Sequence, residues 1–246
     1  MDNLQEIKDR FAPTGHLRVS INLGNPILAK AEVGNQPPSG VSVDLAKEFA
    51  RRLGLEIEWV VFNSAGESVE AVTSEDADIG FFAIDPLRGV GVNFSAAYVH
   101  ITGSYLVPEA SELQTIEEVD QSGNRIVVGK GSAYDLYLTR NLKSASIVRA
   151  PTSPKVVEFF VQNQCEVAAG VTQQLESDLQ RFPNHRLLSG NFMLIQQAMG
   201  VPVSRGDLAA QYLADFVEDV KRTGFVAEAL IRNGIKGASV APQVEE

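Results

Sequence analysis

The run Ala77-Asp78-Ile79-Gly80-Phe81-Phe82-Ala83-Ile84-Asp85-Pro86-Leu87-Arg88-Gly89 joins an apolar, aromatic segment to an Asp-Pro turn and delivers one arginine just past its end. A cation presented by a rigid turn can hold an anion there, because open α/β sheets bind ligands at the carboxyl ends of their strands. Arginine's planar fork matches a carboxylate through two parallel hydrogen bonds, whereas lysine offers a point charge. The alternative for Arg88 is a solvated turn charge, and the local sequence leaves both open.

A second place with chemistry is Gly129-Lys130-Gly131-Ser132, which follows the apolar run Arg125-Ile126-Val127-Val128. Ser132 with Asp135 three residues later has the spacing of a capping box, and so of a helix start. A helix N-terminus offers unpaired N–H groups and a positive dipole end to an anion. The loop lacks Walker spacing, so nucleotide phosphate is not the expected ligand and Lys130 reads as solvent-facing.

The remaining reactive side chains point to little chemistry. His16, His100 and His185 are scattered with no pair at metal-ligand spacing, so neither a metal nor a cofactor is expected. Cys165 precedes a buried-looking strand and reads as an inert core thiol, with a thiol nucleophile as the other reading. Asp85 and Glu166 are the acids nearest the expected strand ends. Either could act as a general acid or base, yet Asp85 is also a turn residue before Pro86, and Glu166 a strand-start charge. Phe81 and Tyr134 could stack on a ring-shaped ligand or belong to the core.

The elements that must position these residues alternate between strand-like and helix-like, which predicts an α/β fold with mostly parallel strands. Strands are predicted at 17–23, 56–62, 124–131 and 166–172, and helices at 41–55, 67–74, 115–119, 132–142, 173–181, 207–222 and 226–232. Segments 94–108 and 187–203 read as long extended connections, and 239–246 as a loose tail. The layout predicts two lobes, one of residues 1–104 with 193–246 and the other of residues 105–192. Two crossover strands serve as the hinge, and a cleft suited to a small ligand lies between the lobes.

Composition narrows the partners. Hydrophobic residues at 44% and charged residues at 21% describe a folded chain. A net charge of −10 argues against nucleic acid and against an anionic membrane surface. One cysteine excludes an internal disulfide. The first sixteen residues hold no apolar run of signal-peptide length, and no segment suits membrane insertion. The chain as it stands therefore reads as cytoplasmic, or as periplasmic if a leader has been removed.

With these elements in place the chain resembles the family 3 solute-binding proteins, the type II periplasmic binding proteins of amino-acid ABC transporters, over about residues 17–234. The resemblance rests on GVSVDLAKEFARRLGLEIEWV, on ADIGFFAIDPLRG followed by NFSAAY, and on RIVVGKGSAYDLYL, in the family's order and spacing. It implies two α/β lobes, each a mostly parallel sheet flanked by helices, that close over a ligand by hinge bending, and an ABC permease as partner. It implies that Arg88 clamps a ligand carboxylate, with Ala83 and Asp85 where the family offers further donors. Gly131, Ser132 and Tyr134 fall at the second-lobe loop and helix start, and Asn22 and Asn25 where the family places a residue over the ligand. The chain also departs from the pattern. Phe81, Phe82 and Ala83 replace the usual hydroxyl donors, and the family's ammonium-binding Asp is replaced by the uncharged Val171, Thr172 and Gln173. A buried ammonium without a carboxylate is costly. The expected function is thus binding of a small carboxylate-bearing solute, amino-acid-like or an organic acid, for transport or sensing. A cyclohexadienyl dehydratase-like lyase on the same scaffold is the alternative.

Overall fold

A computed structural model describes residues 2–34 and 36–244, with the side chains from residue 4 on. The chain divides into unit 1, Met1–His100 with Gln196–Glu246, and unit 2, Ile101–Ile195. Unit 1 opens with α1 (Asp2–Phe11), β1 (Leu17–Asn22), α2 (Val41–Leu53), β2 (Ile57–Phe62), α3 (Ala65–Thr73) and β3 (Ile79–Ala83), and β4 (Val92–Pro108) carries the chain into unit 2. There follow β5 (Arg125–Gly129), α4 (Ala133–Asn141), β6 (Ser146–Ala150), α5 (Val156–Gln162), β7 (Val167–Val171), α6 (Thr172–Leu179) and β8 (His185–Leu187). Strand β9 (Met193–Pro202) returns the chain to unit 1, which ends with α7 (Gly206–Arg222), α8 (Phe225–Arg232) and β10 (Ser239–Val240).

The two units share one strand plan. In unit 1, β1 runs parallel between β2 and β3, and β3 pairs antiparallel with β9 from Gly80↔Gly200 to Ala83↔Gln197. In unit 2, β5 runs parallel between β6 and β7, and β7 pairs antiparallel with β4 from Gly103↔Val171 to Leu106↔Ala168. Each trio is a β-α-β-α-β segment with its first strand in the middle, so the mostly parallel expectation holds for the trios and the long strands add antiparallel edges.

Packing explains why these segments take these forms. On β5, Ile126 and Val128 face a cluster with Tyr134 and Leu138, while Val127 faces one with Val156, Phe160 and Leu175. A strand covered on both faces needs a continuous apolar run, as this sequence has. Helix α2 buries Leu45, Phe49 and Leu53, carries Asp44 in its first turn and Arg51 and Arg52 in its last, and stops at Gly54 with φ 61°. The left-handed conformation at the C-terminus is where glycine carries no Cβ penalty.

Three segments differ from the sequence expectation. Residues 2–11 form a helix whose Phe11 ring meets Phe49 edge-on at 4.9 Å. Its signal was only Leu4, Ile7 and Phe11 at helical spacing among polar residues. Residues 115–119 form turns rather than a helix, because the Glu118 carboxylate takes the N–H groups of Gln114 and Thr115 and closes a single local loop. The tail is docked, not loose. Ser239–Val240 pairs with β4, the Ala241 N–H reaches the Tyr98 carbonyl, and the buried Lys221 ammonium donates to the Pro242 carbonyl at 2.8 Å. Its last two residues, 245 and 246, lie outside the described residues. Among the described residues no helix is long and apolar enough to cross a membrane.

Candidate functional site

In unit 1 the parallel register Val19↔Ile79 brings the carboxyl ends of β1 and β3 to one sheet edge. After β1, the Asn22 Oδ1 accepts the Gly24 N–H at 2.8 Å. That turn needs glycine, since a Cβ at Gly24 would stand 2.8 Å from the Asn63 carbonyl oxygen. The Asn25 carbonyl accepts the N–H groups of Leu28 and Ala29. The Asn25 Oδ1 is shielded from solvent without a hydrogen-bond partner, an acceptor that calls for a donor.

After β3, Asp85 builds the turn. Its Oδ1 accepts the Leu87 N–H at 2.9 Å, and its carbonyl accepts the Gly89 N–H at 3.0 Å. Arg88 then folds back over the strand end, and its Nη1 donates to the Ala83 carbonyl at 3.0 Å. The residue is 6% exposed, so it is not a solvated turn charge. Burial lowers its pKa to about 10, against the opposing pull of the Asp85 charge, so the guanidinium stays cationic at neutral pH. Phe81 lies in the core, edge-on to Tyr98 at 6.1 Å.

In unit 2, Ser132 caps α4. Its Oγ accepts the Asp135 N–H at 3.0 Å, the first half of the capping box read from the sequence, while Asp135 Oδ2 accepts the N–H of the preceding Gly131 at 2.9 Å and the Ser132 N–H goes to the Gly129 carbonyl. Gly131 sits at φ 72°, in the left-handed region. Arg149 holds the Asp135 carboxylate through Nε. The N–H groups of Gly131 and Asp135 are thus engaged within the loop, and helix geometry leaves those of Ala133 and Tyr134 as first-turn donors. The Tyr134 side chain is buried among Tyr105, Ile126 and Leu138, and burial pushes its hydroxyl pKa up. Phe81 and Tyr134 are therefore each packed within their own unit. Lys130 is exposed, as read.

At the carboxyl end of β7 stands a group of polar side chains that the sequence does not reveal. The Thr172 Oγ1 lies 2.8 Å from the Thr102 Oγ1 and 2.7 Å from the Ser104 Oγ, and the Ser104 hydroxyl donates to the Asn191 Oδ1 at 2.9 Å. The neighbouring Gln173 Oε1 is shielded without a partner. Thr102, Ser104 and Asn191 come from distant segments with no local motif, so only the folded register exposes their association.

The remaining candidates resolve as structural. Glu166 pairs with Arg125 at 2.8 Å and accepts its backbone N–H at 2.8 Å, and these bonds hold its pKa below the usual carboxylate range. Cys165 is buried, which pushes its thiol pKa up. Among the described residues no group of three His, Cys, Asp or Glu side chains is placed to hold a metal.

The cyclohexadienyl dehydratase of Pseudomonas aeruginosa is 26% identical over 183 residues, a match spanning 70% of this chain and 64% of that protein. The solute receptor for L-cysteine of Neisseria gonorrhoeae superposes with a TM-score of 0.78 at 19% identity, covering 94% of this chain and 92% of the receptor. A mutant of ArgBP from T. maritima superposes with a TM-score of 0.76 at 20% identity, covering 95% and 100%. Residues 18–232 match the bacterial extracellular solute-binding proteins, family 3, and the chain belongs to that family.

Proposed function

We propose that the protein captures a small carboxylate-bearing solute whose carboxylate is gripped by Arg88. The observation that carries this reading is a buried guanidinium fixed to the end of β3 by the Ala83 carbonyl. Burial disfavours its charge, the Asp85 charge opposes that penalty, and a ligand carboxylate would add to the opposing pull. The Asn25 Oδ1 supplies an acceptor, Asn22 and Asp85 set the turns around it, and the Gly131–Ser132 loop orients the first-turn donors of α4. Phe81 and Tyr134 support these walls from behind.

Operation outside the inner membrane, with delivery to an ABC permease, is the part of this reading that the family's extracellular character supports. Binding without turnover is favoured over a dehydratase-like reaction because both candidate acids are engaged. Asp85 holds its own turn and Glu166 is held by Arg125.

A thermal-shift screen over carboxylates, amino acids and ring-bearing acids tests this reading. A true ligand at a hundredfold excess over Kd should add about 2.7 kcal/mol of stability. Absence of a shift with every carboxylate would overturn the reading, and product detected by mass spectrometry would transfer it to the enzyme.

A further inference from the structure

We infer that the C-terminal segment 239–244 is a strap that stiffens the root of the crossover strand β4 and so sets how freely the chain bends where unit 1 ends. The inference is independent of the solute's identity, and every contact behind it lies within unit 1. Strand β4 leaves unit 1 after His100. The last three residues before that point are the ones the strap holds. Ser239 pairs with His100, Val240 pairs with Val99, and the Ala241 N–H donates to the Tyr98 carbonyl at 3.1 Å. Strand β9 also lies along β4, so the strap adds a second neighbour. Backbone held by a ladder loses the conformational freedom that bending needs. Tyr98 is fixed by its side chain as well, which is fully buried with its hydroxyl 3.3 Å from the Ser42 Oγ of α2.

The strap has a clasp of its own. The Lys221 side chain is 1% exposed, and its ammonium donates to the Pro242 carbonyl at 2.8 Å and meets the Glu218 Oε1 at 2.6 Å. A buried lysine is costly unless it is paired, and carboxylate capture by Arg88 has no use for this one. The Glu218 Oε2 accepts the Val244 N–H at 3.3 Å, so a single ion pair grips the strap at two backbone groups. The match to the family ends at residue 232, which leaves the strap outside the shared core. A segment added beyond that core, clasped by a buried charge and laid on the three residues before the unit boundary, is placed to govern the bending of β4.

The test needs no ligand. Hydrogen–deuterium exchange of the full chain is compared with that of a chain truncated after Gly237 and of Lys221→Met, which removes the clasp. The truncated chain decides the question if its melting temperature is near native, and Lys221→Met decides it otherwise. Loss of the strap should speed exchange at residues 98–100 by about tenfold or more, with the amides of β1, β3 and α2 unchanged. Spin labels at Glu70→Cys in unit 1 and Glu176→Cys in unit 2, in a Cys165→Ser background, read the consequence. The distribution of distances between them should broaden when the strap is lost. Unchanged exchange at 98–100 would overturn the inference, because the strap would not hold β4. So would faster exchange throughout unit 1, which makes the segment a general stabiliser, or a distance distribution of unchanged width, which means that β4 bends independently of it.

Discussion

Arg18 and Asp78 form a two-point ion pair at the start of neighbouring parallel strands, Nη2 to Oδ1 at 2.7 Å and Nε to Oδ2 at 3.0 Å. The Arg18 backbone N–H adds a third bond at 2.9 Å. Unit 2 repeats the device, with Arg125 at the start of β5 binding Glu166 just before β7. In both units the pair ties the amino ends of the two strands whose carboxyl ends carry candidate site residues. The two copies differ in setting. Asp78 is fully buried and also takes Arg205 at 3.0 Å, whereas the Arg125 and Glu166 side chains are 42% and 36% exposed.

That difference sets unequal costs. Asp78→Asn removes the buried charge that both Arg18 and Arg205 hold, leaving Arg205 only the half-exposed Glu75, and should destabilise unit 1 by about 3–5 kcal/mol. Glu166→Gln breaks a screened surface pair and should cost at most about 1 kcal/mol. Urea denaturation of both variants at equal salt gives the comparison, and similar losses would contradict the burial argument.

Much of the fold was legible because local signals and burial agreed. The 41–53 helix had apolar residues on one face, charges suited to its dipole and a terminal glycine. The unit 2 strands read clearly because both their faces are covered. Helix α1 escaped notice because three apolar residues in ten look like a polar terminus until Phe49 and Tyr212 are present to receive them. The tail was misjudged because its anchors, Tyr98 and Lys221, are far away in sequence. Arg88 was visible as a candidate from its turn. Burial alone separated it from a surface charge, and burial likewise removed Phe81 and Tyr134 from any open wall.

Stability should respond to acid through Glu48. Its hydrogen bonds to Arg51 and Arg52 lower its pKa from the usual 4.5 to about 2. Such a depressed acid contributes stability that is fully present above pH 4.5 and lost as the pH falls toward 2. Melting temperatures of wild type and Glu48→Gln should differ by a constant amount above pH 5 and converge by about pH 2. A difference that ignores pH would show that the shift is absent.

The loop after β5 should be intolerant of volume. A Cβ at Gly129 would sit 2.6 Å from the Ser153 Oγ and 2.7 Å from its Cα, a backbone atom that cannot rotate away. Gly129→Ala should cost about 1–3 kcal/mol and weaken ligand binding by displacing the Ser132 cap. Retained stability with retained affinity would mean that the loop is not held as described.

Arg88 tests the account most directly. Once a carboxylate ligand is identified, its Kd is measured by calorimetry for wild type, Arg88→Lys and Arg88→Ala. Truncation to alanine should weaken binding by about 2–5 kcal/mol, and lysine should recover only part, because it lacks the planar fork. Unchanged affinity in a folded Arg88→Ala protein would contradict the claim that this buried guanidinium holds the ligand.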